Sequence, residues 1–185
     1  MNSAVALVIP ATSVHGISLT KRAVRGLLDA GCVRHVFICT PDPLTQPVTD
    51  HVSVVIGGVR AGLAEVMRIL PDTRYVLVHE ASRAATPPEV IKAVVAELER
   101  GAQAVVPVLP LTDTVKDVDE EGRILGTRDR SGIRVMQSPL GVTTELLQAA
   151  EGPLPAGLGV ALTTVPGHPQ GLRIRTAFDV ATVTP

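Results

Sequence analysis

The sequence predicts an α/β domain with three layers, in which a mostly parallel, twisted sheet lies between helices. Short runs of Val, Leu, Ile and Ala alternate with stretches of helical spacing along the chain, as in successive βαβ units. Several of these runs are nearly continuous in apolar residues, which marks strands covered on both faces. Hydrophobic residues make up 45% of the chain and aromatics only 2%, so the core must be aliphatic. At 185 residues the chain is read as one domain, 1–185, able to bury a substantial core.

The first apolar run, 4–9, ends at Pro10 and reads as a buried strand. Over 19–30 the residues Leu19, Ala23, Leu27 and Ala30 share one helical face, and Gly31 follows as a C-terminal stop. A second strand spans 33–40, halted by Pro41, and a Pro-rich loop leads to a third at 52–56. Gly57-Gly58 closes that strand, 61–70 reads as a helix and 75–79 as a fourth strand. Residues 87–100 form the clearest helix, with Pro at its start, Val90, Val94 and Leu98 on one face, and Gly101 after it. A fifth strand covers 104–108. Residues 114–118 and 123–126 flank Asp119-Glu120-Glu121-Gly122, a hairpin with Gly in the left-handed position. A short helix at 143–150, a Pro/Gly-rich loop at 152–159, strands at 159–165 and 172–174 and a terminal element at 178–183 complete the reading.

Composition narrows the function. The net charge is −1, with no basic excess for general nucleic-acid binding. One Tyr, two Phe and no Trp leave few platforms for stacking bases. Cys32 and Cys39 fit no zinc spacing and read as reduced core thiols. The N-terminus lacks the basic stretch of a signal peptide, and no apolar run reaches the ~18 residues of a membrane span. The expected location is the cytoplasm, with no membrane or nucleic-acid partner.

The run Val76-Leu77-Val78-His79-Glu80-Ala81-Ser82-Arg83 concentrates the chemistry. Charge appears abruptly at the C-terminal end of a buried strand, where open α/β sheets bind ligands. A carboxylate and a guanidinium there suit a metal ion and a phosphate. His79, at the strand end, reads as a hydrogen-bonded structural residue.

Five motifs in order resemble the 2-C-methyl-D-erythritol 4-phosphate cytidylyltransferases. Val78-His79-Glu80-Ala81-Ser82-Arg83 resembles the family's V-H-D-A-A-R. Val106-Pro107-Val108, followed by Asp113-Thr114 and Lys116, resembles its V-P-V, D-T and K segment. Thr127-Arg128-Asp129-Arg130 matches T-x-D-R, and Gln137-Ser138-Pro139-Leu140-Gly141 is similar to Q-T-P-Q-G. Gly171-Leu172-Arg173-Ile174-Arg175-Thr176 lies where the family has N-I-K-I-T. The stretch 77–147 is most similar to actinobacterial members.

The resemblance implies a nucleotide-diphospho-sugar-transferase-like fold with a protruding β-hairpin arm at about 112–130, and a homodimer joined by that arm. It implies that CTP and methylerythritol phosphate combine with release of pyrophosphate, with Mg²⁺ as cofactor. Glu80 would take the metal position, and Glu80 and Arg173 the catalytic ones. Arg83, Thr114, Arg130 and Ser138 would hold the substrate phosphate across the dimer interface, although Asp129 and Arg130 also suit surface ion pairing. Gly57, Gly58 and Arg60 would meet the nucleotide.

The chain departs from the family pattern at its start. A Gly-rich loop with cations should follow the first strand, but Pro10 to Ser18 is short and has no double Gly. Lys21 and Arg22 read as solvated residues opening a helix. The Gly57-Gly58 loop is short and lacks a hydroxyl, Glu80 replaces Asp, Arg173 replaces Lys, and a T-D-D-A segment is missing between 150 and 160. These departures predict impaired or lost turnover. The other reading is a non-catalytic relative that binds a phosphorylated ligand or a protein.

Overall fold

The computed structural model describes residues 4–42 and 50–183. Most of the Pro-rich connection expected after the second strand falls at 43–49, outside the described residues. Among the described residues the main sheet has eight strands: β1 (Ala4–Ile9), β2 (Val33–Thr40), β3 (Val52–Ile56), β4 (Tyr75–Glu80), β5 (Ala104–Pro110), β8 (Arg134–Met136), β9 (Leu140–Thr143) and β10 (Thr163–Pro166). The strands β6 (Val115–Val118) and β7 (Ile124–Arg128) stand apart as a two-stranded antiparallel sheet. Helices α1 (Leu19–Asp29), α2 (Val59–Ile69), α3 (Pro88–Glu99), α4 (Thr144–Ala149) and α5 (Ala177–Val183) complete the fold.

The main sheet runs in the order β10-β5-β9-β4-β1-β2-β3, with β8 beside β5. The pairs β1–β2, β1–β4, β2–β3 and β5–β10 are parallel, as expected. The strands β8 and β9 are antiparallel to their neighbours, and the sequence reading has neither. Strand β9 is four residues long and carries Gly141, which reads as a breaker. A Cβ at Gly141 would stand 2.4 Å from Val94 Cγ1 and 2.9 Å from Leu98 Cδ1 of α3. The glycine is there because helix and strand approach too closely for a side chain.

Alternation along β1 builds the three layers. Ala4, Ala6 and Val8 face a cluster with Leu19 and Leu27 of α1 and Ile91 and Val94 of α3. Val5 and Leu7 face the other cluster, with Leu63 and Val66 of α2 and Leu147 of α4. Every residue from Ala4 to Val8 is fully buried, which explains the unbroken apolar run. Cys39 is buried, Cys32 is half-buried and both are free thiols. Burial raises the pKa of each, that of Cys39 to about 11, so both stay protonated and inert.

Two late elements differ from expectation. The strand expected at 159–165 narrows to β10. Residues 172–174 form no strand: Ile174 is buried and its N–H donates to Ser82 O at 2.7 Å, so the apolar residue plugs the core without pairing along an edge. No helix among the described residues is long and apolar enough to cross a membrane.

Candidate functional site

Parallel pairing of β1 with β4 sets Ile9 beside Glu80 at the C-terminal ends of both strands. The chain then tightens into a single 3-10 turn, Ala81–Arg83, which brings Arg83 back toward Glu80, with Arg83 Nε 4.0 Å from Glu80 Oε2. Arg173 approaches from the distant segment after β10, and its Nη2 donates to Glu80 Oε2. The site therefore opens with one carboxylate between two guanidiniums.

These groups differ in their surroundings. The Glu80 and Arg173 side chains are 40% and 41% exposed, whereas that of Arg83 is 11% exposed. Arg83 is gripped by two carbonyls, donating from Nη1 to Gly171 O at 2.7 Å and from Nη2 to Met136 O at 3.0 Å. Burial lowers its pKa, Glu80 opposes the shift, and Arg173 and Arg175 add to it. A guanidinium still stays charged at neutral pH, so Arg83 is a fixed, partly desolvated cation.

Beside Glu80 lies a cavity of about 500 Å³, within the size range of small-molecule sites. Ile9 and Glu80 line it at the strand ends, together with the segments Gly58 to Arg60, Met136 to Ser138 and Gly152 to Pro155. Gly57 takes a positive φ of 129° and its N–H donates to Thr40 O at 2.7 Å, while Gly58 serves as the N-cap of α2. The chain thus turns tightly and points the start of α2 toward the cavity, an arrangement that favours anions. Arg60 is the cation among the described lining residues, and its Nη2 donates to Ala150 O at 2.6 Å.

Ser138 lies on the cavity wall but is itself buried, its hydroxyl 3.1 Å from His79 Nδ1. Burial first, and the Arg83 charge second, push the His79 pKa down to about 4. His79 is therefore neutral at pH 7, a hydrogen-bonded structural residue as its position suggests.

The loop after β1 is as short as its sequence. Val14 and Ile17 pair through backbone bonds of 3.1 and 2.9 Å, with His15 and Gly16 at positive φ between them. Ser18 then caps α1 by accepting from Lys21 N. Lys21 is exposed, and Arg22 Nη2 donates to Val183 O at 3.1 Å. Neither Lys21 nor Arg22 lines the cavity.

The structure brings Glu80, Arg83, Arg173, Ser138, Gly58 and Arg60 to one region. Gly57 lies next to it, lining a neighbouring recess with Pro10 and Gly58. Thr114 and Arg130, on the arm, are exposed and do not line the cavity. The sequence reading assigns no role to Gln137, whose side chain bonds the His168 backbone, or to the Gly152–Pro155 wall. The first was visible only as part of the Gln137-Ser138-Pro139 motif; the second had no signal beyond its turn composition.

No group of three or more His, Cys, Asp or Glu side chains comes together among the described residues. Glu80 is the acidic residue of the cavity lining. That donor set suits Mg²⁺, which commonly takes one or two carboxylates and completes its shell with phosphates and water.

Comparison with known proteins agrees with this geometry. The family profile for 2-C-methyl-D-erythritol 4-phosphate cytidylyltransferase matches residues 11–184. The chain is 48% identical to the protein of that name from Saccharopolyspora erythraea, over 91% of this chain and 85% of that protein. It is 42% identical to the one from Rhodococcus opacus, over 89% of this chain and 80% of that protein. Among solved structures, a 4-diphosphocytidyl-2C-methyl-D-erythritol synthase superposes with a TM-score of 0.82 at 21% identity, covering 98% of this chain and 96% of that one. The Thermus thermophilus 2-C-methyl-D-erythritol 4-phosphate cytidylyltransferase gives 0.73 at 24% identity, covering 97% and 96%. The structural likenesses show the fold.

Proposed function

Because the chain belongs to the 2-C-methyl-D-erythritol 4-phosphate cytidylyltransferase family, we propose that it transfers the cytidylyl group of CTP to methylerythritol phosphate. The observation that carries this reading is the carboxylate Glu80, set between Arg83 and Arg173 and lining a cavity of about 500 Å³. An oxygen of the substrate phosphate attacks the α-phosphorus of CTP. A new P–O bond forms, the α–β bridge breaks and pyrophosphate leaves. The protein contributes position and charge.

Arg83 and Arg173 supply the positive field for the methylerythritol phosphate group. Gly57, Gly58 and Arg60 form the nucleotide side, and Ser138, fixed by His79, shapes the wall between the two. Glu80 is the residue that would hold Mg²⁺, and Mg²⁺ supplies charge neutralisation at the phosphates. Thr114 and Arg130 are exposed and do not line the cavity of their own chain, so we assign them to the site of a second copy, in a homodimer joined through the β6–β7 arm. CTP is a cytoplasmic nucleotide, and the same reading places the protein there.

The short turn at Val14–Ile17 leaves the triphosphate with fewer cationic contacts, so turnover is expected to be slow. Loss of one preorganised donor typically costs ~10²–10³ in rate. The test is pyrophosphate release from CTP with Mg²⁺, with and without methylerythritol phosphate. Release that requires both substrates supports the reading. Its absence, under conditions where the Saccharopolyspora erythraea relative turns over, overturns it.

A further inference from the structure

We propose that Gln137 is a positioning residue that sets both substrate-phosphate cations by clasping the turn that precedes Arg173. The inference rests on the cytidylyltransferase reading for its kinetic consequence. The clasp itself is read from geometry alone.

Gln137 is buried, and its side-chain hydrogen bonds among the described residues go to backbone. Its amide reads a piece of backbone in both directions. Gln137 Nε2 donates to His168 O at 2.9 Å, and His168 N–H donates to Gln137 Oε1 at 2.9 Å. A side-chain amide, with an N–H donor and a carbonyl acceptor side by side, is suited to this two-way pairing, and a carboxylate or an alkyl group is not.

The two glycines that flank His168 and its 3-10 turn are shaped to the same amide. A Cβ at Gly167 would stand 2.3 Å from Gln137 Oε1, and one at Gly171 would stand 3.0 Å from it. Both segments are also anchored on β5, through Gln137 N–H to Pro107 O and Gly167 N–H to Val108 O, each at 2.8 Å.

The clasp joins the two strips of backbone that hold Arg83. Met136 O, one residue before Gln137, and Gly171 O, at the end of the clasped turn, are the two acceptors of the Arg83 guanidinium. Two residues past Gly171, Arg173 reaches Glu80, and Ile174 N–H is pinned to Ser82 O. Releasing the turn therefore loosens one of the two grips on Arg83 and the base from which Arg173 extends. The Gln137 amide bonds the His168 backbone and acts on the two arginines through it.

The test compares wild type with Gln137→Leu and with Gln137→Glu, which keeps the shape and the acceptor but turns the donor against His168 O. The second variant stands in if the first does not fold. Amide hydrogen exchange is expected to speed up about tenfold or more at His168, Gly171 and Ile174, as for loss of a buried hydrogen bond, with β1 and β4 amides unchanged. The KM for methylerythritol phosphate is expected to rise about tenfold, with the KM for CTP within about twofold. Unchanged exchange at His168 and Gly171 would overturn the clasp. Equal rises in both KM values, or a fall in kcat alone, would overturn the positioning role. If wild type shows no turnover, the functional reading fails, and the exchange measurement still decides the clasp.

Discussion

Arg173 donates to the Glu80 carboxylate from 93 residues away in sequence, and that pairing draws the last third of the chain onto the end of β4. It does little for stability. Both side chains are about two-fifths exposed, and ion pairs at such positions contribute about 0–1 kcal/mol. The value of the pair is that it holds an acid and a cation side by side where a phosphate would arrive.

Glu80→Gln tests this division between folding and function. The substitution keeps shape and removes charge, so the thermal midpoint should move by no more than about 4 °C, in keeping with the small worth of an exposed pair. Turnover should fall roughly 10²–10³-fold, as for the loss of a preorganised electrostatic group. A Gln variant with wild-type pyrophosphate release would remove Glu80 from the reaction.

His79 gives the fold a defined acid sensitivity. Its pKa is about 4 in the folded protein, against an ordinary 6.5. Between those values the unfolded chain binds a proton that the folded chain refuses, so stability rises with pH across that window. The contribution is complete above pH 6.5 and is lost as the pH falls toward 4, in all about 3 kcal/mol. Asp119, Asp129 and Asp179 have pKa values held below the ordinary 3.8 by hydrogen bonds, so their losses come at lower pH. Denaturant titrations from pH 4 to 7 should show the slope in wild type and a flatter curve in His79→Asn; parallel curves would assign it to another group.

The parts of the fold legible in the sequence are those whose burial is symmetrical. The strands β1 and β4 are covered on both faces, so Val, Leu and Ala run together and announce a parallel strand. What sequence could not show is anything set by a close approach between distant elements. Gly141 looks like a break in a strand until Val94 is seen against it. The Leu172–Ile174 stretch looks like a strand because an apolar plug and a strand use the same residues. At the site, Glu80 and Arg83 were legible from the strand end itself. Arg173, Ser138 and Arg60 came only from family resemblance, since nothing local says which loops converge, and the Gln137 clasp is directed at backbone, which leaves no trace in composition.

Gly141→Ala should test the packing of β9 on α3. The added methyl would have to displace Val94 Cγ1 from 2.4 Å and Leu98 Cδ1 from 2.9 Å, in a region where both side chains are buried. Overpacking of this kind costs about 1–3 kcal/mol. Adding Val94→Ala should recover part of that loss, because the two changes share one space. Strictly additive losses in a double-mutant cycle would mean that the strand shifts away from the helix.

The arm supplies the test of the dimer. The strands β6 and β7 form a sheet of their own, detached from the main one, and an isolated two-stranded hairpin is marginal in water. Val118, Ile124 and Leu125 on it are 57%, 67% and 69% exposed, an apolar surface of the kind that a partner covers. If a second copy covers it, each site combines Arg83 from one chain with Arg130 from the other. Arg83→Ala and Arg130→Ala homodimers would each be defective at both sites. A mixed dimer would carry both changes in one site and neither in the other, so unfolding and refolding the two variants together should restore about a quarter of wild-type turnover at equal amounts. Refolded mixtures no more active than the separate variants would place Arg130 outside the site. A monomer in sedimentation at working concentration would remove the arm from the reaction altogether.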